Sequence, residues 1–190
     1  MAKKSCNPFR DAAVEHDSGD DALCLSRAHD LDPDVESLRQ YTLAAVVNAW
    51  EDIPQPAFFN ARHSAELLLK TLLPGYEQDK RLKRCHSLTT LLAELATRSD
   101  DLLGTGEDQQ LIVEFIRELD RHDPNGDQGR YPRDSHGSPS LEKLCCADRD
   151  EFVREVARLA RYGELRLTGQ PHVTMGQQWP PTPLEQQTTG

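Results

Sequence analysis

The sequence predicts an all-α fold: a bundle of about five helices over residues 34–167, with a long loop between the last two. Three observations carry this reading. Apolar residues recur at spacings of three and four along separate stretches, and no stretch shows sustained two-residue alternation. Each stretch is also bounded by Pro, Gly or a capping residue.

The first helix opens at Asp32-Pro33, an N-cap followed by Pro at a position whose N–H would be unpaired anyway, and runs to about Trp50. Val35, Leu38, Tyr41, Thr42, Ala45 and Ala49 form its inner face. Ile53-Pro54-Gln55-Pro56 is expected to break the chain, so the second helix runs from about Ala57 to Leu73 and stops at Pro74-Gly75. A third covers about Ser87 to Thr97, with Leu88, Leu91, Leu92 and Leu95 on one side. Thr105-Gly106-Glu107-Asp108 approximates a capping box for a fourth, which reaches about Arg121. Asp148-Arg149-Asp150-Glu151 opens a fifth, expected to end before Gly163.

The flanks read differently. Residues 1–33 carry acidic clusters such as Asp17-Ser18-Gly19-Asp20-Asp21 and no apolar period, as in a poorly ordered arm. Residues 168–190 hold Pro171, Pro180, Pro181 and Pro183 among Gln, Thr and Gly, a tail in which Trp179 is the residue suited to docking.

Composition excludes several functions. Lys and Arg number 22 against 32 Asp and Glu in 190 residues, a formal charge of −10. A surface that coats nucleic acid is therefore not expected, and a phosphate site must be a local basic patch. No apolar run approaches the roughly 20 residues of a membrane span. The five cysteines are an odd set with no leader ahead of them, so reduced thiols and a cytoplasmic location are expected. Cys85, His86, Cys145 and Cys146 fit no finger or ribbon spacing, so neither a metal nor a cofactor is expected. There is no dinucleotide fingerprint, phosphate loop or nucleophile elbow.

Two segments concentrate the chemistry. At 100° per residue, Arg62, Glu66, Lys70 and His63 fall at about 0°, 40°, 80° and 100° on the second helix, beside an apolar stripe of Ala61, Ala65, Leu68, Leu69 and Leu72. This polar stripe is either a solvated face, with i, i+4 pairs worth ~0.3–0.5 kcal/mol each, or a cluster gripping a neighbouring loop or an anionic ligand. The loop from Asp123 to Gly137 is rich in turn formers yet dense in Arg, Tyr, Asp and His; it is either a floppy surface excursion or a loop folded back to place Arg130 and Tyr131 against that cluster. A third feature is the basic run Lys80-Arg81-Leu82-Lys83-Arg84 beside His86, either an anchor for RNA phosphates or a solvated loop.

Read in order, these segments resemble a known family. Asn60-Ala61-Arg62-His63-Ser64-Ala65-Glu66-Leu67-Leu68-Leu69-Lys70, then His86-Ser87-Leu88 with Leu91 and Leu92, then Asp123-Pro124 through Arg130-Tyr131-Pro132 are similar to the RHxxELxLK, HxLxxL and D-P…RYP patterns of bacterial HEPN-like proteins. The resemblance spans roughly residues 36–160 and implies a helical bundle, commonly a homodimer. Many such proteins are metal-independent endoribonucleases of toxin–antitoxin, CRISPR-linked or phage-defence systems, so it also implies RNA and a cognate antitoxin or defence protein as partners. Those enzymes carry Arg-x(4–6)-His, the His moving a proton at the ribose and the Arg stabilising phosphorane-like charge. Arg81/His86, Arg117/His122 and Arg130/His136 meet that spacing. Under this reading His63, His86 or His122 transfers the proton and Arg62, Arg117 or Arg130 clamps the phosphate. Other members lack the pair and bind nucleotide, RNA or a partner protein. Arg62, His63, Glu66, Lys70, Arg130 and Tyr131 would then be a structural or ligand-gripping core, with Lys80 and Arg81 for phosphates and Asp123 bracing the loop.

Overall fold

The computed structural model describes residues 33–98, 107–127, 130–131, 133, 140–141 and 147–169. Six helices account for most of them: α1 (Pro33–Trp50), α2 (Pro54–Leu72), α3 (Lys80–Lys83), α4 (Leu88–Arg98), α5 (Glu107–His122) and α6 (Arg149–Thr168), with a 3₁₀ turn at Tyr76–Gln78. The all-α bundle expected from the periodicity is what forms. Thr105, Gly106, His136, Cys145, Cys146, Trp179 and both expected tails up to residue 32 and from residue 170 lie outside the described residues.

Helix α2 is the centre, packing against α1, α4, α5 and α6. Its Ala57, Ala61, Ala65, Leu68 and Leu69 are buried, and so are Arg62, Ser64, Glu66 and Lys70. A helix packed against four neighbours keeps little solvated surface, so most of its polar stripe must be satisfied inside the protein. Leu88, Leu91, Leu92 and Leu95 of α4 turn inward as their spacing predicts, each contributing ~1.5–3 kcal/mol through burial. From α5, Ile112, Ile116 and Leu119 complete the core.

Three boundaries differ from the sequence expectation, each for an identifiable reason. Helix α2 begins at Pro54, ahead of the expected Ala57. Neither Pro54 nor Pro56 sacrifices a helical bond, because the first turn's N–H groups have no partner; Ala57 N–H, donating to Ile53 O at 3.1 Å, is the first that does. The basic run is not a loop: Lys80–Lys83 form one helical turn whose N-cap Asp79 accepts from Arg81 N and Leu82 N at 2.9 and 3.2 Å, with Leu82 buried beneath.

The third difference concerns Gly163, which does not end α6. The helix continues to Thr168 and closes at Gly169, whose φ of 72° is the left-handed cap conformation. Gly163 instead serves packing, because a Cβ there would sit 2.4 Å from Leu38 Cδ2 and 3.2 Å from Leu68 Cδ1. No described helix is long and apolar enough to cross a membrane.

Gly163→Val should therefore destabilise the fold by about 2 kcal/mol or more in urea unfolding, since overpacking at a buried three-helix contact outweighs any gain in backbone rigidity. An unchanged midpoint would show that α1 can move away from α6 freely.

Candidate functional site

The polar stripe of α2 divides into an inward cluster and an outward residue. Arg62, Glu66 and Lys70 are 2%, 5% and 6% exposed, which overturns the solvated-face reading for these three. Arg62 Nε donates to Asp123 O at 2.7 Å, Nη1 to Glu66 Oε2 at 3.1 Å, and Nη2 to His86 O at 2.5 Å. Lys70 Nζ donates to Glu66 Oε1 at 2.7 Å and to Lys83 O at 3.3 Å, beneath the Tyr76 ring. His86 Nδ1 lies 3.0 Å from the same Glu66 oxygen, and a carboxylate can only accept, so the imidazole donates. Burial works to raise the Glu66 pKa, but the bond from Lys70 and the neighbouring cations overcome it and hold the carboxyl below its ordinary value of 4.5.

This is the loop-gripping arrangement. Asp123 ends α5 with its carbonyl on Arg62 and its carboxylate 3.5 Å from Arg62 Nε, while the other carboxylate oxygen accepts from Asp127 N at 3.0 Å. Asp123-Pro124-Asn125-Gly126 is a tight turn closed by Gly126 N–H to Asp123 O at 3.3 Å. Gly126 has a φ of 74°, and a Cβ there would fall 2.7 Å from Arg62 Nη1, so the backbone lies directly on the guanidinium. Asp120 supports the opposite side: it accepts from Leu88 N and Thr89 N at 2.7 and 3.2 Å, capping α4 from α5, 4.0 Å from Arg62 Nη2.

His63 points the other way. Tyr41 of α1 meets it edge-on with ring centroids 4.3 Å apart, and Phe59, one turn earlier on α2, stacks at 5.7 Å and 10°. The Arg130 guanidinium lies 5.3 Å from the Phe59 centroid, and the backbone of the exposed Tyr131 is held by Gln55 Nε2 at 3.3 Å. Partial burial lowers the His63 pKa below 6.5; Glu66 opposes this, and the charges of Arg130, Lys70 and Arg62 add to it. The imidazole is thus neutral at pH 7, and the loop sets a cation beside it.

The remaining candidates are dispersed. Arg117 and His122 lie on the unbroken helix α5, so five residues separate them by about 140° around its axis. Arg117 is exposed, whereas His122 is half-buried with its ring 6.4 Å from Phe58. Arg81 is bound to Glu94 at 2.6 Å, and His86 is tied to Glu66; Lys80 is exposed. Sequence reasoning missed Phe59, Asp120 and Gly126, and treated Tyr41 as core. The clue for Gly126 was the Asp-Pro-Asn-Gly turn signal, whereas nothing in the chain around Asp120 marks it as a cap for a different helix. Among the described residues, no group of three or more His, Cys, Asp and Glu side chains is arranged to hold a metal ion.

Arg62→Ala should cost about 3–5 kcal/mol in urea unfolding, because it removes the donor to Glu66 Oε2 and to two carbonyls in the interior and the cation beside Asp120 and Asp123. Arg62→Lys should recover little, since one ammonium cannot reach three separate acceptors. A loss below about 1 kcal/mol for Arg62→Ala would show that the loop is held by other means. For His63, the folded pKa is below the unfolded one, so its contribution to stability is complete above about pH 6.5 and is lost as pH falls through the lowered value. Following its ring protons by NMR should give a midpoint below 6.5 that rises in Arg130→Gln; a midpoint at or above 6.5 would refute this environment.

Comparison of the chain with protein-family models, with curated proteins and with solved structures found no match, so the geometry of the site itself carries the functional reading.

Proposed function

We propose that this chain is a non-catalytic HEPN-like module that binds RNA or nucleotide on the face formed by Tyr41, Phe59, His63, Arg130 and Tyr131. The observation supporting it is the convergence of His63 from α2 and Arg130 from the loop on the Phe59 ring. Aromatic and imidazole faces give a base something to stack on, and an arginine beside them meets its phosphate. The face is small, which suits a local cationic patch on a chain of net charge −10. Binding is favoured over cleavage because the Arg62 guanidinium is fully engaged in the interior and Arg117 and His122 diverge.

One observation supports a second reading, a metal-independent endoribonuclease in a toxin or defence role. A neutral His63 suits a general base, and Arg130 stands where a charge clamp would act. The two are separated by incubating excess protein with labelled oligoribonucleotide and tRNA in EDTA, measuring binding and chain integrity together. Intact RNA is expected, bound with a salt-dependent affinity that falls about tenfold in Arg130→Ala and in Tyr131→Ala. Cleavage abolished in a folded His63→Ala variant would establish the nuclease instead. Absence of both binding and cleavage would reject this face as a nucleic-acid site.

A further inference from the structure

A second site lies where the α1–α2 turn meets the start of α6, and it shares no residue with the His63–Arg130 face. A cavity of about 320 Å³ opens there. Its walls are apolar: Ala49, Ile53, Ala57, Phe58, Leu141 and Phe152. That volume sits at the small end of ligand pockets, room for one flat ring system of about two fused rings.

The polar groups of the cavity divide by side: Ser140 and Arg149 toward α6, Asp52 and Gln55 at the α1–α2 turn. Ser140 Oγ lines it, is buried, and finds no hydrogen-bond partner among the described residues. Arg149, the first residue of α6, is half-exposed at the rim, with its guanidinium 4.8 Å from the Trp50 ring centroid. Its ionic contact to Asp150 is a loose 3.9 Å. The Arg149 guanidinium can only donate and the unpartnered Ser140 hydroxyl can donate as well, so this side of the cavity suits an occupant that presents an acceptor. Three carboxylates at the start of α6 temper the field: Asp148 is engaged as the N-cap with Glu151 N at 2.8 Å, Asp150 faces Arg149, and Glu151 pairs with Arg154 at 3.3 Å. Asp52 stands at the α1–α2 side of the cavity, with a left-handed φ of 57°. Among the described lining residues the cation, Arg149, stands on the α6 side, at the helix N-terminus.

We infer that this cavity binds a small aromatic carboxylate, its ring between Phe58 and Phe152 and its carboxylate on Arg149. Ser140 Oγ supplies the second hydrogen bond. The inference does not rest on the nucleic-acid reading, but the sites touch: Gln55 lines the cavity and its amide holds the Tyr131 backbone. An occupant would thus restrain the segment that carries Arg130.

The test uses the full chain and naphthoate as the probe, followed by methyl and aromatic NMR shifts. Saturable binding is expected, with shifts at Ala49, Ala57, Leu141 and Phe152, and about tenfold weaker binding in Arg149→Ala. Naphthylamine, which presents a donor in place of the carboxylate, should bind at least tenfold more weakly than naphthoate. Ala147→Phe, at an exposed lining position, should block naphthoate without disturbing the core. The inference is overturned if naphthoate gives no saturable shifts into the millimolar range, or if its shifts gather at Tyr41, Phe59 and His63. It is equally overturned if Arg149→Ala leaves the affinity unchanged or naphthylamine binds as well.

Discussion

A guanidinium buried at the centre of a helical bundle is the constraint on which the rest of this protein depends. Arginine cannot shed its proton, so every N–H that Arg62 carries into the interior needs an acceptor there. Three come from three parts of the chain: the Asp123 carbonyl leaving α5, the His86 carbonyl entering α4, and the Glu66 carboxylate one turn along α2. The position of α2, the start of α4 and the exit from α5 are thereby a single condition. Lys70 extends it to the end of α3 through the Lys83 carbonyl. Two cations face the three carboxylates of Glu66, Asp120 and Asp123, so removing either cation leaves negative charge stranded where desolvation is costly.

The same constraint shapes the outer face. Adjacent residues on a helix point about 100° apart, so a helix that buries Arg62 must turn His63 toward its flank. There His63 meets Tyr41 and Phe59, and the loop anchored by Asp123 and Gly126 brings Arg130 over the Phe59 ring. Architecture and surface chemistry are therefore neighbours by one residue. A motif dense in Arg, His, Glu and Lys is accounted for largely as a clamp: of these four ionisable side chains, three face inward and His63 turns outward.

A second clasp works alike at the far end of α6. Glu164, 1% exposed, accepts from Arg39 Nε of α1 at 2.7 Å, one residue after the glycine that lets Leu38 close on α6. Close approach of backbones and a buried ion pair occur together here, because an ion pair reaching across two helices requires them to be near. Local pattern marks Glu164 only as one more acidic residue in a charged helix. Its burial follows from how α1 crosses α6.

Much of the fold was legible in the chain because helices are local. The three-and-four spacing of Leu88, Leu91, Leu92 and Leu95, Pro33 at the first observed helical position and the cap at Asp148 each act within a few residues. The Arg62–Glu66–Lys70 stripe was legible for the same reason, as was the turn at Asp123-Pro124-Asn125-Gly126. What the chain could not disclose was which side of that stripe faced protein. Asp120 capping α4 joins residues 32 apart, and Arg130 reaching Phe59 joins residues 71 apart. Periodicity along one helix says that polar groups share a face. Only the packing of α4, α5 and the loop around α2 decided that Arg62, Glu66 and Lys70 are buried and His63 is not, because burial belongs to the assembled neighbours and not to the segment.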